Sequence, residues 1–242
     1  MDLQGKKVLV TGASRGIGKA IAEDFYKRGA EVYVNCAVRV DTCLQVCREL
    51  GDRAHPAVCD LSQADCGEKL YALTGDVDIL VLNASVQYKK SWDSITAADF
   101  DDQMYVNLRA SLLLMQKYVP YMKKQGWGRI VTIGSVQEIK PHPDMLVYSA
   151  SKAAQANMVR SLAAQLAGDG ITVNNVGPGV VYTERNVEAL SDPEYAKKVA
   201  SLIPMGYYAM PEDCVGVVSM LCSEAGRYIT GQSIYVDGGK GL

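Results

Sequence analysis

Short apolar runs alternate with amphipathic stretches along the whole chain, and this alternation restricts the fold more than any other feature. The first run, Lys7-Val8-Leu9-Val10, is bounded by Thr11-Gly12 and reads as a buried strand. Comparable runs follow at 31–36, 54–59, 78–82, 129–133, 171–176 and 233–236. Between them lie helical patterns: one with Ile17, Ala20, Ile21 and Phe25 on one side, then 41–50, and one capped by Ser62 that extends to about Leu73. A long helical region capped by Thr96 reaches Lys124 and is expected to bend near Pro120; further helices are expected over 150–167 and from Pro211 to Cys222. Strand and helix in strict succession imply an α/β fold: a doubly wound, mostly parallel sheet of about seven strands with helices on both faces. No linker, repeat or low-complexity tract divides the chain, so residues 1–242 are expected to form a single domain.

Bulk properties exclude several classes of function. A net charge of −2 gives no electrostatic case for nucleic acid or an anionic membrane. No apolar run reaches the ~18 residues of a bilayer-crossing helix, and the N-terminus has no signal-peptide layout. Seven cysteines form an odd set without zinc spacing, although Cys43 and Cys47 lie one helical turn apart. They read as reduced thiols of a cytoplasmic protein with no bound metal.

The turn after the first strand carries Gly12, Gly16 and Gly18. Such a turn lets backbone N–H groups approach a phosphate at the positive end of a helix. Its spacing, G-x-x-x-G-x-G, differs from the commoner G-x-G-x-x-G dinucleotide fingerprint. A protein selective for NAD places a carboxylate at the end of the second strand to accept from the ribose 2′-hydroxyl. Here that strand ends Val34-Asn35-Cys36-Ala37, without an acid, while Arg15 and Arg39 flank the site. Two cations and no acid favour a 2′-phosphate, hence NADP(H) over NAD(H).

Tyr148 and Lys152 stand four residues apart at the start of an alanine- and serine-rich helix. That spacing stacks a phenol and an ammonium on one helix face. A free tyrosine, with a pKa of about 10, is a poor acid–base catalyst near neutrality, and a fixed cation moves it towards the working range.

Thr11-Gly12-x3-Gly16-x-Gly18, Asp60, Asn83-Ala84, Asn107, Ser135, Tyr148-x3-Lys152 and Pro178-Gly179-x3-Thr183, in this order and spacing, resemble the classical short-chain dehydrogenases/reductases. The resemblance runs from Lys6 to Val236-Asp237-Gly238-Gly239 and implies a Rossmann fold with a nicotinamide dinucleotide. It implies that Tyr148 exchanges a proton with the substrate oxygen and that Ser135 hydrogen-bonds the same oxygen. Lys152 would tune the phenol and bind the nicotinamide ribose, and Asn107 would support a water chain from Lys152 by bending its own helix. Asp60 with Leu61 would meet the adenine, and Asn83-Ala84 the adenine ribose. Pro178, Gly179, Val181 and Thr183 would fix the nicotinamide, and Ser14, Ile17 and Ser85 complete the cofactor set. Ser85 replaces the glycine usual in this family and adds a β-carbon beside the cofactor; Ala37 stands where many NADP-dependent members carry a basic residue.

Substrate choice falls to three loops. The segment after Ser135 contains Gln137 and His142, and a flap over about 184–210 begins beside Tyr182 with Arg185. Their polarity suits a sugar, polyol or keto acid better than a steroid. A second reading, a 3-oxoacyl-(acyl-carrier-protein) reductase, rests on the basic group Lys117, Lys123, Lys124 and Arg129. A third is a cofactor-sensing protein without catalysis. Small residues on several sides of the helix after Tyr148 allow close helix packing, and family members usually assemble there, which implies a homotetramer.

Overall fold

A computed structural model describes the backbone of residues 1–242 and every side chain except that of Ala189. Seven strands form one sheet in the order β3-β2-β1-β4-β5-β6-β7, with every neighbouring pair parallel. They are β1 (Lys7–Val10), β2 (Glu31–Cys36), β3 (Ala54–Val58), β4 (Ile79–Leu82), β5 (Gly128–Ile133), β6 (Ile171–Pro178) and β7 (Ser233–Val236). The helices are α1 (Gly16–Lys27), α2 (Val40–Leu50), α3 (Cys66–Thr74), α4 (Ala97–Met104), α5 (Ala110–Gln125), α6 (Leu146–Leu166), α7 (Val187–Leu190), α8 (Pro193–Ser201) and α9 (Pro211–Cys222).

The period-two direction of strand side chains divides the core into two layers. In β1, Val8 and Val10 point to one face and Leu9 to the other. Val8 and Val10 join Val32, Val34, Val81 and Val131 against Ile21 and Phe25 of α1, Val46 of α2 and Val218 and Leu221 of α9. Leu9 joins Leu80, Leu82, Ile130 and Val173 against Leu70 of α3, Tyr118 and Met122 of α5, and Val159 of α6. Strands buried on both faces explain the near-continuous apolar runs of the sequence. The strand order reverses between β1 and β4, and such a switch point opens a crevice beyond the carboxyl ends of the strands.

Three local expectations are corrected. Ser62 does not cap a helix: α3 starts at Cys66, because the Asp60 carboxylate accepts the Ser62 N–H at 2.9 Å and holds 61–65 in turns. The long helical region breaks at a π-turn over Tyr105–Arg109, around the buried Asn107, and α5 runs uninterrupted through Pro120. Pro120 is exposed, as is Gln116, so the carbonyl left without its usual donor faces water. The helix expected from Ala150 begins at Leu146, which places Tyr148 inside its first turn. Thr96 caps α4 as expected, with a reciprocal bond from Thr96 N–H to the Asp99 carboxylate at 2.9 Å. All seven cysteines are buried free thiols, and among the described residues no helix is long and apolar enough to cross a membrane.

Candidate active site

A cleft of about 920 Å³ lies at the switch point, within the size range of small-molecule sites. Its walls include Gly12, Ser14, Arg15, Gly16, Ile17, Arg39, Asp60 and Leu61 on one side. Asn83, Ala84, Ser85, Ser135, Gln137, His142 and Tyr148 form another part, with Pro178, Gly179, Val181, Thr183 and Arg185 opposite. The topology therefore brings almost the whole expected set to one place.

The glycine-rich turn is braced from two neighbouring strands. Asn35, buried near the end of β2, accepts the Gly12 N–H at 3.2 Å and donates to the Ala57 and Cys59 carbonyls at 2.9 and 3.1 Å. Asn83 donates to the carbonyls of Thr11 and Gly12 at 2.8 and 3.0 Å, and the Thr11 hydroxyl accepts from the N–H groups of Asn83 and Ala84. Gly12 has φ +61°, and a β-carbon there would lie 2.9 Å from Ala84 Cα. Gly18 does not line the cleft. A β-carbon on it would sit 2.6 Å from the Gly12 carbonyl oxygen and against the Asn83 amide, so this glycine serves close packing of α1 on the turn. A backbone cradle without β-carbons at the start of a helix fits a dinucleotide phosphate.

Tyr148 and Ser135 form the floor of the cleft, and Lys152 lies beneath it, 1% exposed. Lys152 Nζ donates to the Ile133 carbonyl at 2.7 Å and to Gln155 Oε1 at 3.2 Å, 5.9 Å from the centre of the Tyr148 ring. Burial pushes the ammonium down to about 7. Burial also raises the Tyr148 phenol, opposed by the neighbouring Arg185 cation and by the Ser135 hydroxyl. The arrangement can hold a polar oxygen between a phenol and a serine hydroxyl, with a cation behind the phenol.

Asn107 lies outside the cleft wall, at the π-turn. Its amide accepts from Val86 N–H at 2.8 Å and donates to the Val86 carbonyl and the Ser151 hydroxyl at 2.9 and 3.0 Å. Gln155 and Ser111 link its backbone to Lys152: Gln155 donates to Ser111 Oγ at 2.8 Å, and Ser111 donates to the main-chain carbonyl of Asn107 at 3.3 Å.

The substrate candidates separate. Gln137 accepts from the Ser149 hydroxyl at 2.8 Å, and His142 Nδ1 accepts the Asp144 N–H at 3.1 Å; both line the cleft. Arg185 Nη2 reaches across to the Ser85 carbonyl at 2.8 Å and its hydroxyl at 3.1 Å. Tyr182 does not line the cleft. The Val181–Ala209 bridge is extended, so Val181 turns inward and the Tyr182 ring stacks on Tyr208. The segment after Thr183 contains α7 and α8 and places Leu190, Tyr195, Lys198 and Leu202 on the cleft. Asp60 keeps its place in the wall with its carboxylate engaged by Ser62.

Sequence reasoning missed Glu138. Its half-buried carboxylate accepts the Ser135 N–H at 2.8 Å and bonds Asn175 at 2.9 Å and the Tyr235 hydroxyl at 3.2 Å. Burial raises its pKa, opposed by those hydrogen bonds and by Lys152. Ser135-x-x-Glu138 is a capping-box pattern, legible in the sequence as the device that fixes Ser135.

A braced glycine cradle at the switch point, opening on a buried tyrosine–lysine pair, defines a nicotinamide-dependent oxidoreductase. A family model described as enoyl-(acyl carrier protein) reductase matches residues 12–240. Glucose 1-dehydrogenase of Gluconobacter oxydans is 40% identical, over 98% of this chain and 92% of its own. A gluconate 5-dehydrogenase candidate of Beutenbergia cavernae, solved with NADP, superposes with a TM-score of 0.93 at 35% identity, covering 99% and 98% of the two chains. The 3-ketoacyl-(acyl-carrier-protein) reductase of Brucella melitensis, complexed with NADH, gives 0.92 at 30% identity, covering 100% of both. The chain belongs to the short-chain dehydrogenase/reductase family, whose members act on CH–OH donors with a nicotinamide cofactor.

Proposed function

We propose that this protein interconverts a carbonyl and a secondary alcohol on a small polar substrate with NADP(H), Tyr148 being the acid–base group. The observation that carries this reading is the position of the Tyr148 phenol, on the cleft floor with Ser135 beside it and the buried Lys152 beneath it. The cofactor supplies or takes the hydride when bound. Ser135 and Tyr148 donate hydrogen bonds to the substrate oxygen as charge develops on it, and Tyr148 delivers the proton. Glu138 keeps Ser135 oriented by holding its backbone N–H. Lys152 favours the phenolate left behind, and its bond to Gln155, which is itself anchored through Ser111 to Asn107, holds the amine in place. The same lysine is the residue to hold the nicotinamide ribose, with Thr183, Val181, Pro178 and Gly179 along the nicotinamide and Asp60, Leu61, Asn83 and Ala84 towards the adenosine. Arg15 and Arg39, with no acid at the end of β2, support the preference for NADP(H) over NAD(H). Residues 1–242 act as one unit, with the segment 184–210 as cover of the cleft.

Arg185 directs the substrate class. A guanidinium beside the catalytic phenol and opposite Ser85 favours a carboxylate on the substrate, as in a keto acid or sugar acid. The resemblance to a sugar dehydrogenase and a sugar-acid dehydrogenase candidate supports a hydroxylated acid. Arg185→Ala is expected to raise KM for keto acids about tenfold, the loss of one charge-assisted contact, with neutral polyol-derived ketones little changed. Steady-state kinetics on both substrate sets check this; an equal change in both removes the carboxylate assignment.

The carrier-protein reading has less support. Lys117 pairs with Glu68 at 2.6 Å, Lys123 with Asp169 at 2.8 Å, and Arg129 is 3% exposed and bonded to the Gly128 and Gly170 carbonyls. Three of the four proposed docking cations are thus engaged within the chain. Assembly as a homotetramer is supported by exposed small residues on α6 (Ala150, Ala153, Ala164) and exposed Phe100, Leu112 and Leu146. Light scattering is expected to give four times the 26.2 kDa chain mass; a 26.2 kDa particle contradicts it.

A further inference from the structure

The two arginines assigned to a 2′-phosphate are already occupied by a carboxylate. Glu184 Oε2 lies 2.8 Å from Arg15 Nη1 and 2.8 Å from Arg39 Nη1. Arg15 comes from the glycine-rich turn and Arg39 from the residue before α2, while Glu184 comes from the opposite wall, directly after Thr183. All three line the cleft, and their side chains are 42%, 48% and 51% exposed, so an entering ligand can reach them. Hydrogen bonding from Arg15, with the charges of both arginines, holds the Glu184 carboxyl below its usual range, and it is an anion at neutral pH. Its neighbour Arg185 bonds Ser85 across the cleft, so consecutive residues of the cover segment fasten to two separate parts of the opposing wall.

The end of β2 supplies no carboxylate: Asn35 is committed to the Gly12 turn, and Cys36 and Ala37 follow. The cover segment supplies one from the other side. We propose that Glu184 is a cofactor-specificity residue whose carboxylate competes with a 2′-phosphate for Arg15 and Arg39 and stays as their counter-ion when the cofactor carries a 2′-hydroxyl. This rests on the reading that the two arginines receive the phosphate. A phosphate and a carboxylate on the same pair repel each other, so NADP(H) binds by exchange: Glu184 leaves, and the first residue of the cover segment is released. NAD(H) requires no exchange. Glu184 thus narrows the preference that the arginines alone would create, and it couples the identity of the cofactor to the cover.

Titration of wild type, Glu184→Gln and Arg39→Ala with NADPH and NADH, followed by nicotinamide fluorescence, tests this. Glu184→Gln is expected to bind NADPH about three- to tenfold tighter, the scale of two exposed ion pairs that no longer have to break. NADH affinity stays within about twofold, and the NADPH gain shrinks at high salt. Arg39→Ala weakens NADPH and spares NADH. If Arg39→Ala weakens NADPH while Glu184→Gln leaves it unchanged or weaker, the competition proposed for Glu184 is overturned and the arginine assignment stands. If Arg39→Ala leaves NADPH affinity unchanged, the arginine assignment fails, and the proposal with it.

Discussion

Tyr148→Phe is expected to lower kcat by about 10²- to 10⁴-fold, the range for loss of a positioned general acid, while NADPH affinity stays within about threefold. The substitution removes one oxygen and keeps the ring, which is 6% exposed on the first turn of α6, so the fold has no reason to change. What disappears is the donor that meets charge developing on the substrate oxygen; Ser135 alone retains a hydrogen bond there but has no comparable route to a proton. Stopped-flow and steady-state rates with NADPH, paired with a fluorescence titration, separate chemistry from binding. Turnover equal to wild type assigns the proton to another group.

Lys152→Met has the second large effect, and it acts on three observables. The methionine keeps the bulk of the buried stem and removes the charge. The rate falls because the phenolate loses its cation, and cofactor affinity falls because the ammonium assigned to the nicotinamide ribose is gone. We expect kcat to drop by about 10²-fold or more, with NADPH binding weakened about tenfold, as for one charged hydrogen bond. The third observable is stability in the absence of cofactor. Burial lowers Lys152 from its ordinary 10.5 to about 7. Between those values the unfolded chain binds the extra proton, so this group's contribution to stability rises with pH. Its cost is full below pH 7 and fades as pH approaches 10.5. Relative to Lys152→Met, wild type should therefore gain in urea midpoint from pH 7 to pH 9.5. A gap that is flat or moves the other way means that the folded protein keeps Lys152 protonated across that range, so burial does not depress it, and unchanged NADPH affinity removes its ribose contact.

The fold was legible because the central strands are buried on both faces and read as apolar runs that polar residues end sharply; β1, β2 and β7 match to the residue. Helix interiors were read less well. Pro120 looked like the break, but its exposed position lets α5 continue, and the break follows Asn107, whose amide is committed to Val86 and Ser151. Local propensity does not carry that partnership. Tyr182 stays off the cleft for a different reason: one residue of strand phase sends a side chain to the opposite side, and the extended bridge at Val181 fixes that phase. Glu138 had a local signature in Ser135-x-x-Glu138. Glu184 had none, since its arginines lie 169 and 145 residues away in the chain. Groups assembled across the cleft by different loops are the part of such a site that a linear pattern hides.

The direct test of Tyr148-dependent carbonyl reduction is to mix the wild-type protein with NADPH and a panel of hydroxylated keto acids, sugars and neutral ketones, and to follow nicotinamide absorbance. NADPH oxidation is expected to require a carbonyl substrate, to be fastest with a small hydroxylated acid, and to be lost in Tyr148→Phe. Tight NADPH binding with no oxidation across the panel would contradict it and favour a protein that senses the cofactor without transforming a substrate.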